Sequence, residues 1–324
     1  MLFLFADSNF IFLIGVVVAF ALTIAFMRIF ADKLPHDQGR AFAVEGTLSK
    51  GKARGAGILF IIALIACDIV FNILSLEKTI YLVIIALTMV SGFLDDAAEK
   101  PWNEYVKGAI DLVLAIGVAV TFLYYNGNSF TIAIANGYYV DLPYWLYGIL
   151  IVALVWMAIN VTNCTDGVDG LCGSLSIITL GSFYLYMRVM GEVIGDFTYT
   201  IVLFIVVLLA YLWFNANPST ILMGDAGSRA IGIMIAITAL KSGSPLLYIP
   251  LSLVMILDGG LGLLKVALLR FLKIKILKSV RCPLHDQARK VNNWSNTQVC
   301  YRFGIIQFII SLVMIWACFV VGMY

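Results

Sequence analysis

The sequence predicts an all-α polytopic membrane protein with a single domain over residues 1–324. Of the 324 residues, 62% are hydrophobic and only 12% are charged, about half of the ~25% that is usual in soluble domains. A soluble chain of this length needs a polar surface that this composition cannot supply. Apolar stretches of membrane-spanning length also recur along the chain, so we expect lipid to contact most of the surface.

Ten apolar segments approach the length of about 20 residues that a helix needs to cross a bilayer. They cover residues 9–29, 56–74, 79–94, 107–125, 143–161, 172–190, 197–214, 228–241, 246–269 and 303–323. The eighth segment is short. The ninth contains Asp258-Gly259-Gly260, and such an interruption predicts a broken or bent ninth helix.

The positions of Lys and Arg predict the topology. If the loops alternate sides from an outside N-terminus, all 21 Lys and Arg residues except Lys78, Arg188 and Lys241 fall on one side. The positive-inside rule then places both termini outside and the five polar loops in the cytoplasm. On the outer face, residues 131–142 alternate around Asn136-Gly137, which predicts a small β-hairpin with a type I′ turn.

Three polar clusters lie on the predicted cytoplasmic side. Asp95 and Asp96 end the third span; adjacent carboxylates repel each other, so they indicate either a solvated helix end or a site for a hard cation such as Mg²⁺. In NVTNCTDGVDGL, Asn160, Asn163, Asp166 and Asp169 recur every three residues, in a helix or in a tight loop. We expect these four to converge at the membrane surface, where they would bind a polar ligand and orient a metal.

The third cluster is the sequence MGDAGS at 223–228. Asp225 lies between Gly224 and Gly227, and a new helix is predicted to begin near Ser228. Glycines let backbone N–H groups approach a ligand closely, and a helix N-terminus attracts phosphate. This pattern is weak alone and gains weight from the two other acidic clusters.

Cations accompany these acids. His285 is one of two histidines and has Arg289 and Lys290 nearby, which suits either a structural histidine or a binding site for phosphate or carboxylate. Two basic stretches suit anchoring at anionic lipid and contact with a substrate phosphate about equally. They are SKGKARGAG, which includes Lys50, and RFLKIKILK. Lys107, one turn into the fourth span, is a further candidate for phosphate contact.

Acids for Mg²⁺ together with cations for phosphate oxygens are the groups that phosphoryl transfer requires. The embedding in lipid predicts that one substrate is itself a lipid. A secondary transporter is an alternative, because Asp68, Asp111 and Asp258 lie within predicted spans. Transport sites lie near the middle of the bilayer, however, whereas these clusters lie at one face.

The motifs resemble the polyprenyl-phosphate N-acetylhexosamine-1-phosphate transferase superfamily along nearly the whole chain. GF-x-DD is matched by Gly92, Phe93, Asp95 and Asp96. N-x-x-N-x-x-DG-x-DGL is matched by Asn160, Asn163, Asp166, Gly167, Asp169, Gly170 and Leu171. WFN…P…MGD-x-GS is matched by Trp213, Phe214, Asn215, Pro218, Met223, Gly224, Asp225, Gly227 and Ser228. WFN and Pro283-Leu284-His285 resemble the branch that acts on phospho-N-acetylmuramoyl-pentapeptide more than the N-acetylglucosamine branch.

The chain departs from the family pattern at four places. His285 is followed by Asp286 and Gln287 where the family has two more histidines, and Glu99 replaces a lysine. The family's T-P-T-M-G-G reads as residues 52–57, KARGAG. Leu222 stands where an aromatic residue typically stacks on the uracil. These departures concern the donor sugar and the nucleoside contacts rather than the core reaction.

The resemblance implies an enzyme of peptidoglycan synthesis in the bacterial plasma membrane, with its active site facing the cytoplasm. It would transfer phospho-N-acetylmuramoyl-pentapeptide from UDP to undecaprenyl phosphate; UDP-N-acetylglucosamine is the alternative donor. The partners implied are the UDP-sugar, the polyprenyl phosphate, the bilayer and a second copy in a homodimer, with no nucleic acid.

The resemblance also implies roles for individual residues. Asp225 would bind Mg²⁺ with help from Asp95 or Asp96, and one of that pair would accept the last proton of the lipid phosphate. The uridine end and the metal shell are assigned to Asn163, Asp166, Asp169, Asn215 and Leu222. His285, Arg289 and Lys290 would contact the pyrophosphate or the sugar, Lys50 a phosphate, and Lys107 would compensate the aspartate pair.

Overall fold

The computed structural model describes residues 8–39, 49–133, 138–190 and 196–322, and these residues are mostly helical. The helices are α1 (Ser8–Phe30), α2 (Gly57–Phe71), α3 (Leu76–Asp96), α4 (Glu104–Asn126), α5 (Tyr144–Thr165), α6 (Leu171–Val189), α7 (Asp196–Asn215), α8 (Gly224–Lys241), α9 (Pro245–Leu251), α10 (Leu253–Leu272), α11 (Leu284–Lys290) and α12 (Asn296–Gly322). The prediction of an all-α chain is confirmed, with helices at all ten segments.

Within the described residues, six helices are long and apolar enough to cross a membrane: α1, α3, α4, α5, α7 and α12. The bent pair α9–α10 would make a seventh, and α2 is a shorter apolar helix of 15 residues. The chain is therefore a multi-pass membrane protein. The count of ten spans and the outside position of the termini stay predictions.

The ninth span is bent, as predicted, but not at the predicted residues. The axes of α9 and α10 differ by 70° at Ser252, whereas Asp258-Gly259-Gly260 continue the helix as a π-helical turn. The buried side chain of Gln307 causes the bend by replacing a backbone hydrogen bond. The Val254 N–H donates to Gln307 Oε1 at 2.9 Å, and Gln307 Nε2 donates to the Pro250 carbonyl at 3.1 Å. A side chain inserted into the helical ladder in this way is a common origin of kinks.

A two-stranded antiparallel sheet follows α4. Strand β1 (Ser129–Ile132) pairs with β2 (Tyr138–Asp141), with Ser129 opposite Asp141. The predicted hairpin is confirmed, although its turn at Asn136-Gly137 lies outside the described residues. Because the 23 residues of α4 rise about 35 Å, this hairpin and the first turn of α4 are at opposite ends of the bundle.

Helix α8 is the central helix of the bundle, and every residue from Gly224 to Leu240 is buried. It packs chiefly against α3 and α5. A Cβ atom on Gly92 of α3 would lie 2.4 Å from the carbonyl oxygen of Asp225, so this approach requires glycine. The close contact brings the last residues of α3, Asp95 and Asp96, to the first turn of α8.

Candidate active site

Asp225 lies between two cations that come from separate parts of the chain. Arg54 Nη2 is 3.4 Å from Asp225 Oδ1, and Lys107 Nζ is 3.2 Å from Asp225 Oδ2. Asn163 Nδ2 also approaches Oδ2, at 3.5 Å. Both oxygens of this carboxylate therefore face positive charge, but all three contacts are long. Asp225 is held in place while its lone pairs stay only weakly engaged.

Asp95 and Asp96 hold those same two cations and are more tightly bonded. Asp95 forms an ion pair with Lys107 and accepts the Trp102 N–H at 2.7 Å. Asp96 accepts Arg54 Nε at 2.8 Å and the Ala226 N–H at 3.0 Å. The structure thus brings together Asp95, Asp96 and Asp225.

The helix predicted to begin near Ser228 begins four residues earlier, at Gly224. Asp96 explains the earlier start, because its carboxylate accepts the Ala226 N–H within the first helical turn and so satisfies one of the free donors there. A Cβ at Gly224 would lie 2.2 Å from Asp96 Oδ2, and Gly224 has a positive φ of 66°, so this tight turn requires glycine.

Arg54 reaches the carboxylates because its loop pairs with the segment before α8. The Leu222 N–H donates to the Ala53 carbonyl at 2.8 Å, and the Ala56 N–H donates to the Leu222 carbonyl at 3.1 Å. Arg54 was not among the residues assigned to the site, although it stands in the basic glycine-rich stretch. Lys50, the residue chosen from that stretch, is exposed and does not line the cavity described below.

A third carboxylate partner of Arg54 is Asp37, which sequence reasoning also missed. Arg54 Nη1 is 3.2 Å from Asp37 Oδ1, and Ser49 Oγ donates to Asp37 Oδ2 at 2.6 Å. Burial would raise the pKa of Asp37, but the hydrogen bonds from Ser49 and Arg54 outweigh it and hold that pKa below its usual value. Burial would lower the pKa of Arg54, but Asp96 and then Asp225 hold it above its usual value.

Asp37, Arg54 and Asp225 border a polar cavity of about 600 Å³, whereas Asp95, Asp96 and Lys107 stand behind them and do not line it. Its lining includes seven of the predicted site residues: Asn163, Asp166, Asp169, Asn215, Leu222, Asp225 and Arg289. It also includes residues that sequence reasoning did not assign to the site, among them Asp37, Lys52, Arg54 and Ser219. Carboxylates and cations alternate along its wall, so the cavity suits a ligand that carries both anionic and hydrogen-bonding groups.

A turn over 166–170, which joins α5 to α6, forms another part of the cavity wall. Asp169 accepts both the N–H (2.9 Å) and the hydroxyl (2.8 Å) of Ser219, while Lys52 lies 3.8 Å from Asp169. Asn215 accepts the Gly170 N–H at 2.9 Å and donates to the Ile221 carbonyl. Asp169 and Asn215 therefore shape this part of the cavity wall, because their hydrogen bonds connect the turn to the segment before α8.

The predicted convergence of four side chains spaced three apart is correct for three of them. Asn160 does not line the cavity; its amide donates to the Trp156 carbonyl one turn earlier in α5, at 2.9 Å. The spacing would place all four on one face only in a continuous helix, and the helix ends at Thr165. The last two residues reach the cavity because the chain turns there.

His285 is buried beside the turn instead of lining the cavity. Asp258 accepts its N–H at 2.7 Å and lies 2.9 Å from Nδ1. Nε2 abuts Gly167, where an added Cβ would be 2.4 Å away. Arg289 lines the cavity and donates to the Gly167 carbonyl at 3.2 Å, whereas Lys290 is exposed outside the lining. The segment after Pro283 thus supports the 166–170 turn from behind.

Among the described residues, no group of three or more His, Cys, Asp or Glu side chains is arranged to hold a metal ion. Mg²⁺ is nevertheless commonly bound by one or two carboxylates, with waters and substrate phosphates completing its shell. Asp225, with its weakly engaged oxygens, and Asp166 line the same cavity and fit that requirement. Asp95 and Asp96 fit it less well, because each has an N–H donor and a cation in contact.

The three aspartates that suggested transport each have a fixed partner. Asp68 pairs with Lys78 at 3.2 Å, Asp111 with Arg229, and Asp258 with His285. All three carboxylates are buried. These contacts give each a structural explanation, and no observation in the described residues favours a transport pathway.

Comparison with known proteins gives consistent matches. A family profile described as glycosyl transferase family 4 matches residues 78–243, just over half of the chain. A protein of Treponema pallidum (strain Nichols) named phospho-N-acetylmuramoyl-pentapeptide-transferase is 38% identical over 301 residues, covering 86% of this chain and 81% of that relative. A protein of Staphylococcus carnosus (strain TM300) with the same name is 26% identical, covering 93% of this chain and 97% of that relative. A third protein of that name, from Borrelia hermsii (strain HS1 / DAH), is 32% identical, covering 72% of this chain and 73% of that relative.

Proposed function

The chain belongs to glycosyl transferase family 4, and from that premise we propose that it transfers phospho-N-acetylmuramoyl-pentapeptide from its UDP conjugate to undecaprenyl phosphate. The products are lipid I and UMP, in the synthesis of peptidoglycan. The single observation that carries the site assignment is the convergence of Arg54 and Lys107 on Asp225, beside a polar cavity that Asp225 and Arg54 line.

In this reaction an oxygen of the lipid phosphate attacks the β-phosphorus of the UDP-sugar. The bond from that phosphorus to the bridging oxygen breaks, and the bridging oxygen leaves as part of UMP. A phosphate monoester has a second pKa of about 6, so the nucleophile is mostly ionised near neutral pH. The main barrier is therefore the repulsion between two anions. Lys107 and Arg54 lower it because they place two positive charges beside the reacting phosphates.

Asp225, with Asp166 on the same wall, would hold Mg²⁺, which would stabilise negative charge on the phosphate oxygens when bound. Asp95 and Asp96 hold Lys107 and Arg54 toward Asp225. One of these two aspartates would accept the last proton of the lipid phosphate when it enters protonated. Mg²⁺ binding is supported by the fit of these oxygen donors, and removing the metal tests it.

The nucleotide would occupy the other end of the cavity. Asp169, Asn215 and Leu222 line the cavity and offer carboxylate, amide and apolar contacts to uridine. Asn163, which lies 3.5 Å from Asp225, would contribute to the metal shell. Arg289 would meet the pyrophosphate or the sugar, with His285 supporting the turn behind it. For Lys50 and Lys290, which are exposed, the proposed phosphate contact requires substrate to extend beyond the cavity.

The basic loops support a cytoplasmic active site in the bacterial plasma membrane, with ten spans and both termini outside. In this orientation the UDP-sugar enters from the cytoplasm and the polyprenyl phosphate from the inner leaflet. A homodimer is proposed from the family resemblance alone. Cysteine labelling from each side of sealed vesicles would test the orientation, with the Asp96–Pro101 loop expected inside.

A second donor, UDP-N-acetylglucosamine, is kept because Asp286 and Gln287 follow His285 where the family has two more histidines, a departure that concerns the donor sugar. The test is to give purified protein undecaprenyl phosphate, Mg²⁺ and each nucleotide in turn, and to measure UMP. We expect UMP release only with the pentapeptide donor. Chelation of the metal should abolish this release, and added Mg²⁺ should restore it. Release only from UDP-N-acetylglucosamine would reassign the donor. Nucleotide uptake into vesicles without UMP would refute the transferase proposal.

A further inference from the structure

The largest fully buried side chain in the described structure is a charged one. Arg229 of α8 is 1% exposed and bonds to Asp111 of α4, which is 2% exposed. Arg229 Nε donates to Asp111 Oδ1 at 3.1 Å, and Nη2 donates to the same oxygen. Neither residue lines the cavity. The transfer reaction as proposed makes no use of either charge.

The position of this pair relative to the site is regular. Asp111 follows Lys107 by four residues on α4, and Arg229 follows Asp225 by four residues on α8. Residues four apart lie one above the other on a helix face, about 6 Å along the axis. The two helices therefore carry two ion pairs one turn apart with opposite polarity: Lys107 with Asp225, then Asp111 with Arg229.

Stability alone does not explain the buried pair. Arg229 Nη1 has no hydrogen-bond partner among the described residues, and an unsatisfied buried donor is unfavourable. Replacing a buried ion pair by apolar side chains of similar size is often neutral or stabilising. Because the Asp111–Arg229 pair lies one helical turn from Lys107 and Asp225, it could instead serve to position those two side chains.

Packing gives the pair a mechanical role. Helix α8 packs chiefly against α3 and α5, and it meets α4 over only a short stretch. The Asp111–Arg229 bond is one of the few direct links between α4 and α8. The first turn of α4, which carries Lys107, would otherwise be positioned through α3 and α5 alone.

We propose that the Asp111–Arg229 ion pair is a positioning element that fixes α4 on α8 so that Lys107 meets Asp225. The side chain of Lys107 is long and 25% exposed, so a small shift of α4 would let its ammonium turn toward solvent. The pair sets the register because a shift of one turn would bring Asp111 opposite Asp225 and separate both ion pairs. Only the kinetic consequence of this inference rests on the proposed transfer reaction.

The test replaces the pair without leaving a lone buried charge. The double variant Asp111→Leu/Arg229→Met is apolar, and Asp111→Asn/Arg229→Gln is neutral but close in shape. The first readout needs no substrate: acetylation of Lys107 by a small anhydride, followed by peptide mass spectrometry with Lys100 as internal reference. We expect Lys107 to react several-fold faster in both variants, while the melting temperature stays near the wild-type value. Unchanged reactivity of Lys107 in both variants would overturn the proposal.

The second readout is kinetic. In variants that release UMP we expect kcat to fall about 10-fold with little change in KM, because Lys107 acts on the transition state. The same replacements in a Lys107→Met background should have no further effect, which is the signature of residues that act through one another. Additive losses would overturn a role exerted through Lys107. If acetylation of Lys107 is faster in the variants but the wild-type protein releases no UMP, the proposed function is refuted and the positioning inference is supported.

Discussion

Two clusters of buried charge lie at the two ends of α3 and differ in two respects, the first of which is exposure. At its beginning, Lys78 pairs with Asp68 at 3.2 Å, and Asn72 and Thr200 donate to Asp68 at 2.8 and 2.7 Å. At its end, Asp95 and Asp96 meet Lys107 and Arg54. In the first cluster both charged side chains are at most 1% exposed, whereas Arg54 and Lys107 are 18% and 25% exposed.

The second difference is how the cations are shared. Arg54 and Lys107 each contact Asp225 and at least one further aspartate. A cation shared among carboxylates can turn toward an arriving phosphate without leaving any one of them wholly unpaired. In this protein the shared cations, rather than the fully buried pair, lie beside the cavity, which Arg54 lines.

The largest contrast is expected from removing one lysine from each cluster. Lys107→Met should lower kcat/KM for UMP release about 10³-fold, because a preorganised charge near the reacting phosphates is lost. Lys78→Met leaves Asp68 buried without its counter-ion and should cost about 3–5 kcal/mol of stability. Melting temperature and activity per folded molecule would be measured for both. Equal loss of activity in the two variants would remove the distinction.

Arg54 should come next in effect. Arg54→Gln is expected to lower kcat/KM about 10²-fold, and Arg54→Lys should recover only part of it, since an ammonium lacks the planar fork whose three separate nitrogens reach three carboxylates. Lys100→Gln, which removes an exposed cation at the same end of the bundle, is the matched control and should retain activity. Full activity of Arg54→Gln would show that Lys107 alone suffices.

The nucleotide end of the cavity should respond differently from the phosphate end. Asp169→Asn weakens the bonds to Ser219 that shape the wall. We expect KM for the UDP-sugar to rise about 10-fold with kcat little changed, because ground-state binding is affected. Steady-state kinetics with the nucleotide varied would measure this. A fall in kcat at constant KM would place Asp169 with the reacting groups instead.

The smallest effect is expected at Asp37, on the edge of the cluster. Its pKa is lowered in the folded protein, so its contribution is present above the unfolded pKa of about 3.9 and is lost as pH falls through the folded pKa. Asp37→Asn should cost about 1 kcal/mol at pH 7. Thermal unfolding of both proteins from pH 7 down to pH 3 should show the difference shrinking in acid. A constant difference would exclude the charge of Asp37 as its cause.

The sequence alone could predict the helices and the acidic residues of the site, because polar residues are conspicuous in so apolar a chain. It could not predict Arg54, whose contact with Asp225 joins residues 171 positions apart. Nor could it place the bend at Ser252, which depends on Gln307 from α12. His285 was expected to contact the pyrophosphate or the sugar because of its neighbouring cations and the family resemblance, yet its pairing with Asp258 places it behind the turn. Each of these features depends on a tertiary contact, although Arg54 stands in a basic glycine-rich stretch and Pro250 lies two residues before the bend.

The central claim is that phosphates are joined at Asp225, between Arg54 and Lys107. Its most direct test is UMP release per folded molecule by Asp225→Asn, with Asp68→Asn as the matched change in the other cluster. We predict that Asp225→Asn melts near the wild-type temperature and releases no UMP above background, whereas Asp68→Asn is less stable and active. Full activity in folded Asp225→Asn protein would contradict the account.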